Sequence, residues 1–544
     1  MAPELSEEQP IPKDKLFRNA LAAHRRGDLA SAERFYLQII ANDPKHFDAL
    51  HHLGIVKAQQ GSNVEALAAI TAALAIRPDA PAALSNLGNI LLALGRYAEA
   101  LANYDQALNA NPLDASALNN RGNALCKLGR FREAIQSYDQ ALCVNSRDAS
   151  VHNNRGSALL ELSQHYEALQ SFERASSLRP NYSQAIANKT KALLGLGRFQ
   201  DALDTCQRAI AITHNDVEAL INLGLVLQAL NRNEEAIATY DKALAIHPNS
   251  ADALFNRGVA LYLNKSYVSA LECFDRAIQI NPDSVSALAN RGAVLKELGR
   301  VTEALLAYDR ALEIDAAHVE TLINRAIALS SLGRTNEALS SLDKALAERP
   351  NSFDALLNYG IILHTQRRYR DAMAKYEAAL NIAPRHSEAW RCRAVLAREL
   401  GDQRDALASF EKAVAADDRN IDALLGYAQT LKTLGRRSEA IAACRRVLGI
   451  NPNHIEALCW HADMLVELGH HDEALANYEL AWNCGSASAL GFVVYYCMYI
   501  CDWARAASAL GELKRGIAEG RAIVPPFLLF SWCDDPGLVA QVRR

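Results

Sequence analysis

A strict register limits what this chain can fold into. Laid along it from Lys13, a 34-residue ruler meets alanine at its twentieth position fourteen times running, from Ala32, Ala66 and Ala100 to Ala440 and Ala474, with no insertion. A fixed period of this length marks stacked supersecondary units rather than one globular core. Other positions keep the same beat. Position 8 is Gly or Ala in thirteen repeats, with Thr190 the exception, and position 27 is Ala in twelve, departing at Ile39 and Val447. Position 15 is Gly in ten, including Gly95, Gly129, Gly299 and Gly401, and position 32 is Pro in nine.

These constraints are steric. Positions 4, 8 and 11 fall on one face of a helix, and positions 20, 21, 24, 27 and 28 on one face of the next. A small residue where two helices cross lets their backbones approach. The position-15 glycine supplies the turn between them, and the position-32 proline ends the second helix. Each repeat is therefore predicted to be an antiparallel helix pair, with helices of about 14 residues, or roughly 21 Å.

Composition narrows the function classes. Half of the 544 residues are hydrophobic, which argues for a folded chain, and 57 basic against 62 acidic residues leave a net charge of -5. No basic excess is available to neutralise phosphates, so nucleic acid is not expected as a partner. Eleven cysteines without a CxxC pair read as reduced, mostly buried small residues. The first residues lack the apolar core of a secretory signal. The longest apolar run, Ala489 to Cys501, spans 13 residues, short of the roughly 20 that a bilayer-spanning helix needs. A cytoplasmic location without membrane partners is expected.

The 34-residue pattern resembles the tetratricopeptide repeat, over residues 13–488. The resemblance implies an all-α solenoid, a right-handed superhelix of about 14 antiparallel helix pairs with first helices lining a concave groove. Each hairpin would be stabilised by its neighbours, so the ends need caps. Lys13 to His46 starts the stack with a degenerate repeat, having Arg18 and Ile39 where later repeats carry Asn and Ala.

Inside the repeats no phosphate loop, nucleophile elbow or zinc helix is found, and no cofactor or metal is expected. The doublets His51-His52 and His470-His471 place neighbouring imidazoles on different helix faces, and they read as solvated surface histidines. One row stands out. Position 6 is Asn in nine successive repeats, Asn86, Asn120, Asn154, Asn188, Asn222, Asn256, Asn290, Asn324 and Asn358, then gives way to Cys392, Gly426 and Trp460. Asparagine is a mediocre helix former, costing several tenths of a kcal/mol against alanine at each interior site. Its amide donates and accepts at once, so it can pair with a peptide group whatever that peptide's side chains are. First helices roughly 10 Å apart would set one amide against about every third residue of an extended segment. The nine asparagines are the candidate peptide-binding residues; interhelical bonding is the alternative. Arginine follows several of them (Arg121, Arg155, Arg257, Arg291, Arg325), and acids lie 18 residues further on at Asp139, Glu173, Asp275, Asp309 and Asp343, so ion pairing between helices is expected. Acids at position 2, such as Glu218, Asp252 and Glu320, argue against a basic clamp for carboxylate tails.

All five tryptophans lie between Trp390 and Trp532, as expected where a stack is closed. Residues 489–544 read as a helical cap: an aromatic helix, an amphipathic helix around Ala504 to Glu519, then a proline-broken segment from Val524 to Phe530. Residues 1–12 read as a flexible leader. Cys501-Asp502-Trp503, Pro526-Phe527 and Asp534-Asp535-Pro536 resemble the linker after the repeats in bacterial O-linked N-acetylglucosamine transferase (SPINDLY-like) proteins. That family's catalytic lobes each need on the order of 150 residues, and its sugar-nucleotide and catalytic residues map onto nothing here. Cys497 and Cys501, four apart, read as packing residues. The expected function is protein interaction: binding extended polypeptide segments, as the substrate-recruiting part of an O-GlcNAc transferase-like system with a separate glycosyltransferase catalytic subunit as partner, and no turnover by this chain. The alternatives are a functional O-GlcNAc transferase and a free-standing assembly scaffold.

Overall fold

The computed structural model describes residues 13–213 and 215–519, and it divides into two bodies, residues 1–282 and 283–544. Among the described residues there are thirty helices and no strand. The first body holds eight hairpins, from Lys13–Arg25 with Leu29–Asn42 to Ala251–Leu263 with Tyr267–Ile280. The second holds six, from Val285–Glu297 with Val301–Ile314 to Ile455–Glu467 with His471–Asn483. Hairpins are numbered 1 to 14 in chain order. The expected all-helical repeat stack is what forms.

Local chemistry places the helix ends. The residue before a first helix accepts a hydrogen bond from a backbone N–H of the first turn, through the carboxylates of Asp114, Asp148 and Asp216 or the hydroxyls of Ser250 and Ser284. In four hairpins a histidine does this instead, His46, His318, His386 and His454 accepting through Nδ1. At the turn between helices all fourteen position-15 residues have positive φ. Ten are glycines; the other four are Ser163 (57°), Asn231 (58°), Lys265 (58°) and Arg367 (60°).

Within a hairpin, the aromatic ring at position 24 closes against the glycine at position 8. A methyl group added to Gly88 would come within 2.6 Å of the Tyr104 ring, and one on Gly360 within 2.6 Å of Tyr376. These tyrosines, with Tyr138, Phe172, Tyr240, Phe274 and Tyr308, are almost wholly buried. Where position 8 is alanine and position 24 a ring, the ring also contacts the helix that follows its hairpin. Tyr36 stacks on His52 at 5.8 Å, Phe410 lies against Gly426, and Tyr478 stacks on Phe492 at 5.2 Å.

After hairpin 14, the helices Ala489–Tyr499 and Trp503–Ala518 pack onto it, burying Val494, Cys497 and Leu513 with Leu475 and Tyr478. Asp502 caps the second of them, Trp482 Nε1 donates to Glu512 at 2.9 Å, and Arg505 bonds Glu479 at 2.9 Å. Residues 1–12, the segment Val524 to Phe530, and the Pro526-Phe527 and Asp534-Asp535-Pro536 motifs lie outside the described residues. Among the described residues no helix is long and apolar enough to cross a membrane.

A left-handed backbone costs a residue with a Cβ roughly 1–2 kcal/mol, more than the 0.5–1 kcal/mol of entropy that glycine brings. Lys265→Gly and Arg367→Gly are each expected to stabilise their hairpin by about 0.5–1 kcal/mol. Long repeat arrays do not unfold in one step, so the measure is local: amide exchange across 251–280 and 353–382 slows several-fold. Unchanged exchange contradicts turn strain there.

Candidate functional site

The nine asparagines sit on successive first helices, half-buried except for Asn222, which is buried. In the first body four of them reach back to the preceding first helix through the amide nitrogen. Asn86 Nδ2 donates to His51 Nε2 at 2.9 Å, and Asn120 to Asn89 Oδ1 at 2.9 Å. Asn154 donates to Asn119 and Asn123 at 3.1 and 3.2 Å, and Asn188 to Asn153 at 3.1 Å and Ser157 at 3.3 Å. Asn222 buries its Nδ2 with no partner, while Asn256 makes no side-chain hydrogen bond among the described residues. In the second body Asn290 and Asn358 donate to the carbonyls of Ser286 and Asp354, one turn earlier on their own helices, and Asn324 makes no bond among the described residues.

The row is therefore not a line of free amides. Its nitrogens are largely engaged, yet among the described residues no donor reaches the Oδ1 atoms of Asn86, Asn154, Asn188, Asn290 or Asn358, and none of these oxygens is sealed from solvent. A tethered amide nitrogen fixes the direction of the oxygen.

Four further amides that the position-6 pattern does not contain complete the network: Asn119 and Asn153 at position 5, Asn89 and Asn123 at position 9. Asn89 Oδ1 accepts from the buried Tyr104 hydroxyl at 2.6 Å, and Asn123 Oδ1 from Tyr138 at 2.8 Å. The signal was present in sequence: position 9 is Asn only in repeats 3 and 4, both of which carry tyrosine at position 24. A buried hydroxyl needs a partner, and the asparagine opposite supplies it.

The arginines pair differently from expectation. Arg121, Arg155, Arg257 and Arg325 bond Asp105, Asp139, Asp241 and Asp309, at 2.6 to 2.7 Å, 16 residues earlier rather than 18 later. Each pair links a hairpin to the one before it, and Arg155 and Arg325 also reach Ser171 and Ser341 in their own hairpin. With both partners committed, this row is structural.

The histidine doublets are also corrected. His51 is buried, His52 and His471 each bury an unpartnered Nδ1, and His470 alone is exposed. Burial holds His51 and His52 below the usual histidine pKa, and for His52 the neighbouring His51 and His24 rings push the same way. Cys497 is a packing residue, Cys501 is exposed, and among the described residues no group of His, Cys, Asp or Glu is arranged to hold a metal.

Two consequences follow for stability. Asn120→Ala and Asn154→Ala each remove hydrogen bonds and leave a neighbour unpaired, so each costs about 0.5–1.5 kcal/mol. Asn222→Ala removes a buried orphan donor and is neutral or stabilising. Amide exchange across hairpins 3 to 5 and across hairpin 7 checks this, and equal losses at all three sites contradict it. The depressed histidines give a pH window. Their contribution is complete above the unfolded value near 6.5 and is lost as pH falls below it, because the unfolded state then binds more protons. Amide protection factors in hairpins 1 and 2, the observed exchange divided into the intrinsic rate at each pH, should fall between pH 7 and 5, and His52→Phe should remove most of that fall.

Comparison with known proteins agrees with the geometry. A tetratricopeptide repeat model matches residues 85–150, 120–185, 153–217, 221–285, 269–318 and 323–387, more than half of the chain. A second tetratricopeptide repeat model matches 45–112 and 191–249, and a model of anaphase-promoting complex, cyclosome, subunit 3 matches 399–481. No curated protein sequence matches. Among solved structures, the APC/C hetero-tetramer Cut9-Hcn1 is 16% identical over 84% of this chain and 96% of that one, with a TM-score of 0.47. Yeast Tom70 is 17% identical over 78% and 96%, at 0.43, and a tetratricopeptide repeat protein from Parabacteroides merdae is 21% identical over 46% and 98%, at 0.39. With the repeat matched over most of its hairpins and the helix pairs in place, the chain belongs to the tetratricopeptide repeat family.

Proposed function

We propose that this chain is a protein-interaction module that holds extended polypeptide segments along the faces of its first helices, with the row of asparagines as contacts except at Asn222, which is buried. The observation that carries the reading is the state of their amides, whose nitrogens are tethered and whose oxygens are unclaimed at Asn86, Asn154 and Asn188 in the first body and Asn290 and Asn358 in the second. Oriented acceptors spaced one per first helix suit the N–H groups of a main chain, and they do not read side chains. The partners are then polypeptides, with no turnover by this chain.

The more specific form of the proposal is that the clients are acceptor proteins for a UDP-GlcNAc-dependent transferase whose catalytic part is separate. It is supported by the Cys501-Asp502-Trp503 motif, where the capping Asp502 carboxylate accepts from Arg505 N–H at 3.1 Å and Trp503 stays 64% exposed.

Changing Asn256, Asn290, Asn324 and Asn358 together to alanine, with the buried Asn222 left in place, avoids the interhelical amide bonds of the earlier repeats. The variant is expected to keep its helicity and to bind reduced, carboxymethylated lactalbumin at least about tenfold more weakly, given roughly 1 kcal/mol per hydrogen bond. Unaltered capture removes the clamp. Purified chain incubated with UDP-GlcNAc should neither hydrolyse it nor glycosylate protein; either product would show that the chain turns over by itself.

A further inference from the structure

A recess of about 290 Å³ opens between hairpins 2 and 3, lined by Gln59, Asn63, Asn86, Asn89, Ile55 and Ile90 with two alanines. It contains no charged side chain. Its volume sits just under the roughly 300 Å³ at which sites for drug-sized molecules begin, so it suits one side chain with an apolar stem.

The hydrogen bonds already made decide what its amides can still offer. Asn89 Oδ1 accepts from both Tyr104 Oη, at 2.6 Å, and Asn120 Nδ2, at 2.9 Å. Both lone pairs are used, so Asn89 can act toward a ligand only as a donor, through Nδ2. Gln59 Oε1 is engaged by His24 Nε2 at 2.9 Å, and among the described residues nothing bonds Gln59 Nε2. Asn86 is the reverse case, since its Nδ2 is spent on His51 Nε2 at 2.9 Å and its Oδ1 stays open. The recess thus presents the nitrogen donors of Asn89 and Gln59 and the oxygen acceptor of Asn86 above an apolar floor, with Asn63 at its edge, an amide that makes no side-chain hydrogen bond among the described residues and can pair with either half of a carboxamide.

We propose that this recess is a side-chain subsite for a carboxamide, the head of glutamine or asparagine, within a bound polypeptide, and that Asn89 sets the preference. A carboxamide supplies a carbonyl to Asn89 and Gln59 and an N–H to Asn86. A carboxylate has no donor for Asn86 Oδ1 and would set two negative oxygens against it. An ammonium has no acceptor for the two nitrogens, and either charge would have to be desolvated without a counter-ion. The assignment rests on the extended-polypeptide reading and adds side-chain selectivity at one place in it.

The chain itself indicates the substitution to use. Hairpin 14 has aspartate at the position of Asn89, and there Asp463 Oδ1 accepts from the buried Tyr478 hydroxyl at 2.6 Å. Asn89→Asp therefore keeps the acceptor that Tyr104 and Asn120 need while replacing the donor by a second acceptor. Gln59→Glu does the same at the other donor. Saturation-transfer NMR on the full chain would use N-acetyl-glutamine-N′-methylamide, its glutamate and lysine counterparts, and, separately, capture of reduced, carboxymethylated lactalbumin. The wild type should favour the glutamine probe over both charged ones by about fivefold or more, on the scale of one hydrogen bond. Asn89→Asp should lose that preference and gain binding of the lysine probe, with Gln59→Glu shifting the same way. Equal binding of glutamine and glutamate probes by the wild type, or an unchanged preference in both variants, overturns the subsite. If lactalbumin is still captured in that case, the extended-polypeptide reading survives without it; if the glutamine preference holds while lactalbumin is not captured, the subsite stands and that reading falls.

Discussion

The contact on which the repeats depend is a buried ring seated on a bare backbone. In most hairpins the position-24 side chain of the second helix lies where a Cβ on the first helix would have to be, as Tyr104 does against Gly88. This sets how closely the two helices approach, and because ring and glycine recur at the same places, successive hairpins come out alike. Where alanine stands at position 8, the ring also packs on the helix that follows its hairpin, as Tyr36 does on His52. The same ring then serves both, since Tyr36 also packs edge-on against Phe17 of its own hairpin at 6.0 Å.

The face of the first helices inherits its chemistry from this core. The hydroxyl of a buried tyrosine must find a partner, and in hairpins 3 and 4 it finds Asn89 and Asn123 on the outer face, which in turn accept from the next asparagine of the row. Core packing therefore orients surface amides. At Asn86, Asn154 and Asn188 the two ends of one amide are divided, the nitrogen tying helices together and the oxygen left unclaimed. Farther along, Asn290 and Asn358 use their own helix for the tether.

Much of this was legible in the sequence, because the period exposes every position that sterics forces to be small or to turn. The turns show the limit. Ten glycines at position 15 announce a left-handed residue, while Ser163, Lys265 and Arg367 adopt the same backbone only because the hairpin on either side demands it. The arginine pairs show another limit. In a 34-residue period an acid 18 places after an arginine is also 16 places before the next one, so spacing alone cannot choose between partners; Arg325 takes Asp309, on the preceding second helix. The asparagine row was visible and its bonding was not, since the partners sit at positions 5 and 9, which vary between repeats. The histidine doublets misled for a related reason: helix-face geometry excluded a shared metal, but not burial of His51 and His52 among Phe17, Tyr36 and Phe47.

The central claim is that the first-helix face grips a main chain rather than particular side chains. Its most direct measurement compares three 15-residue serine-, threonine- and glutamine-rich peptides by fluorescence anisotropy: one sequence, the same residues scrambled, and the first sequence with alternate backbone nitrogens methylated. Scrambling should change Kd by no more than about threefold, whereas N-methylation, which removes the N–H groups that the asparagine oxygens would accept, should weaken binding at least about tenfold. Binding that survives N-methylation but is lost on scrambling would contradict the claim.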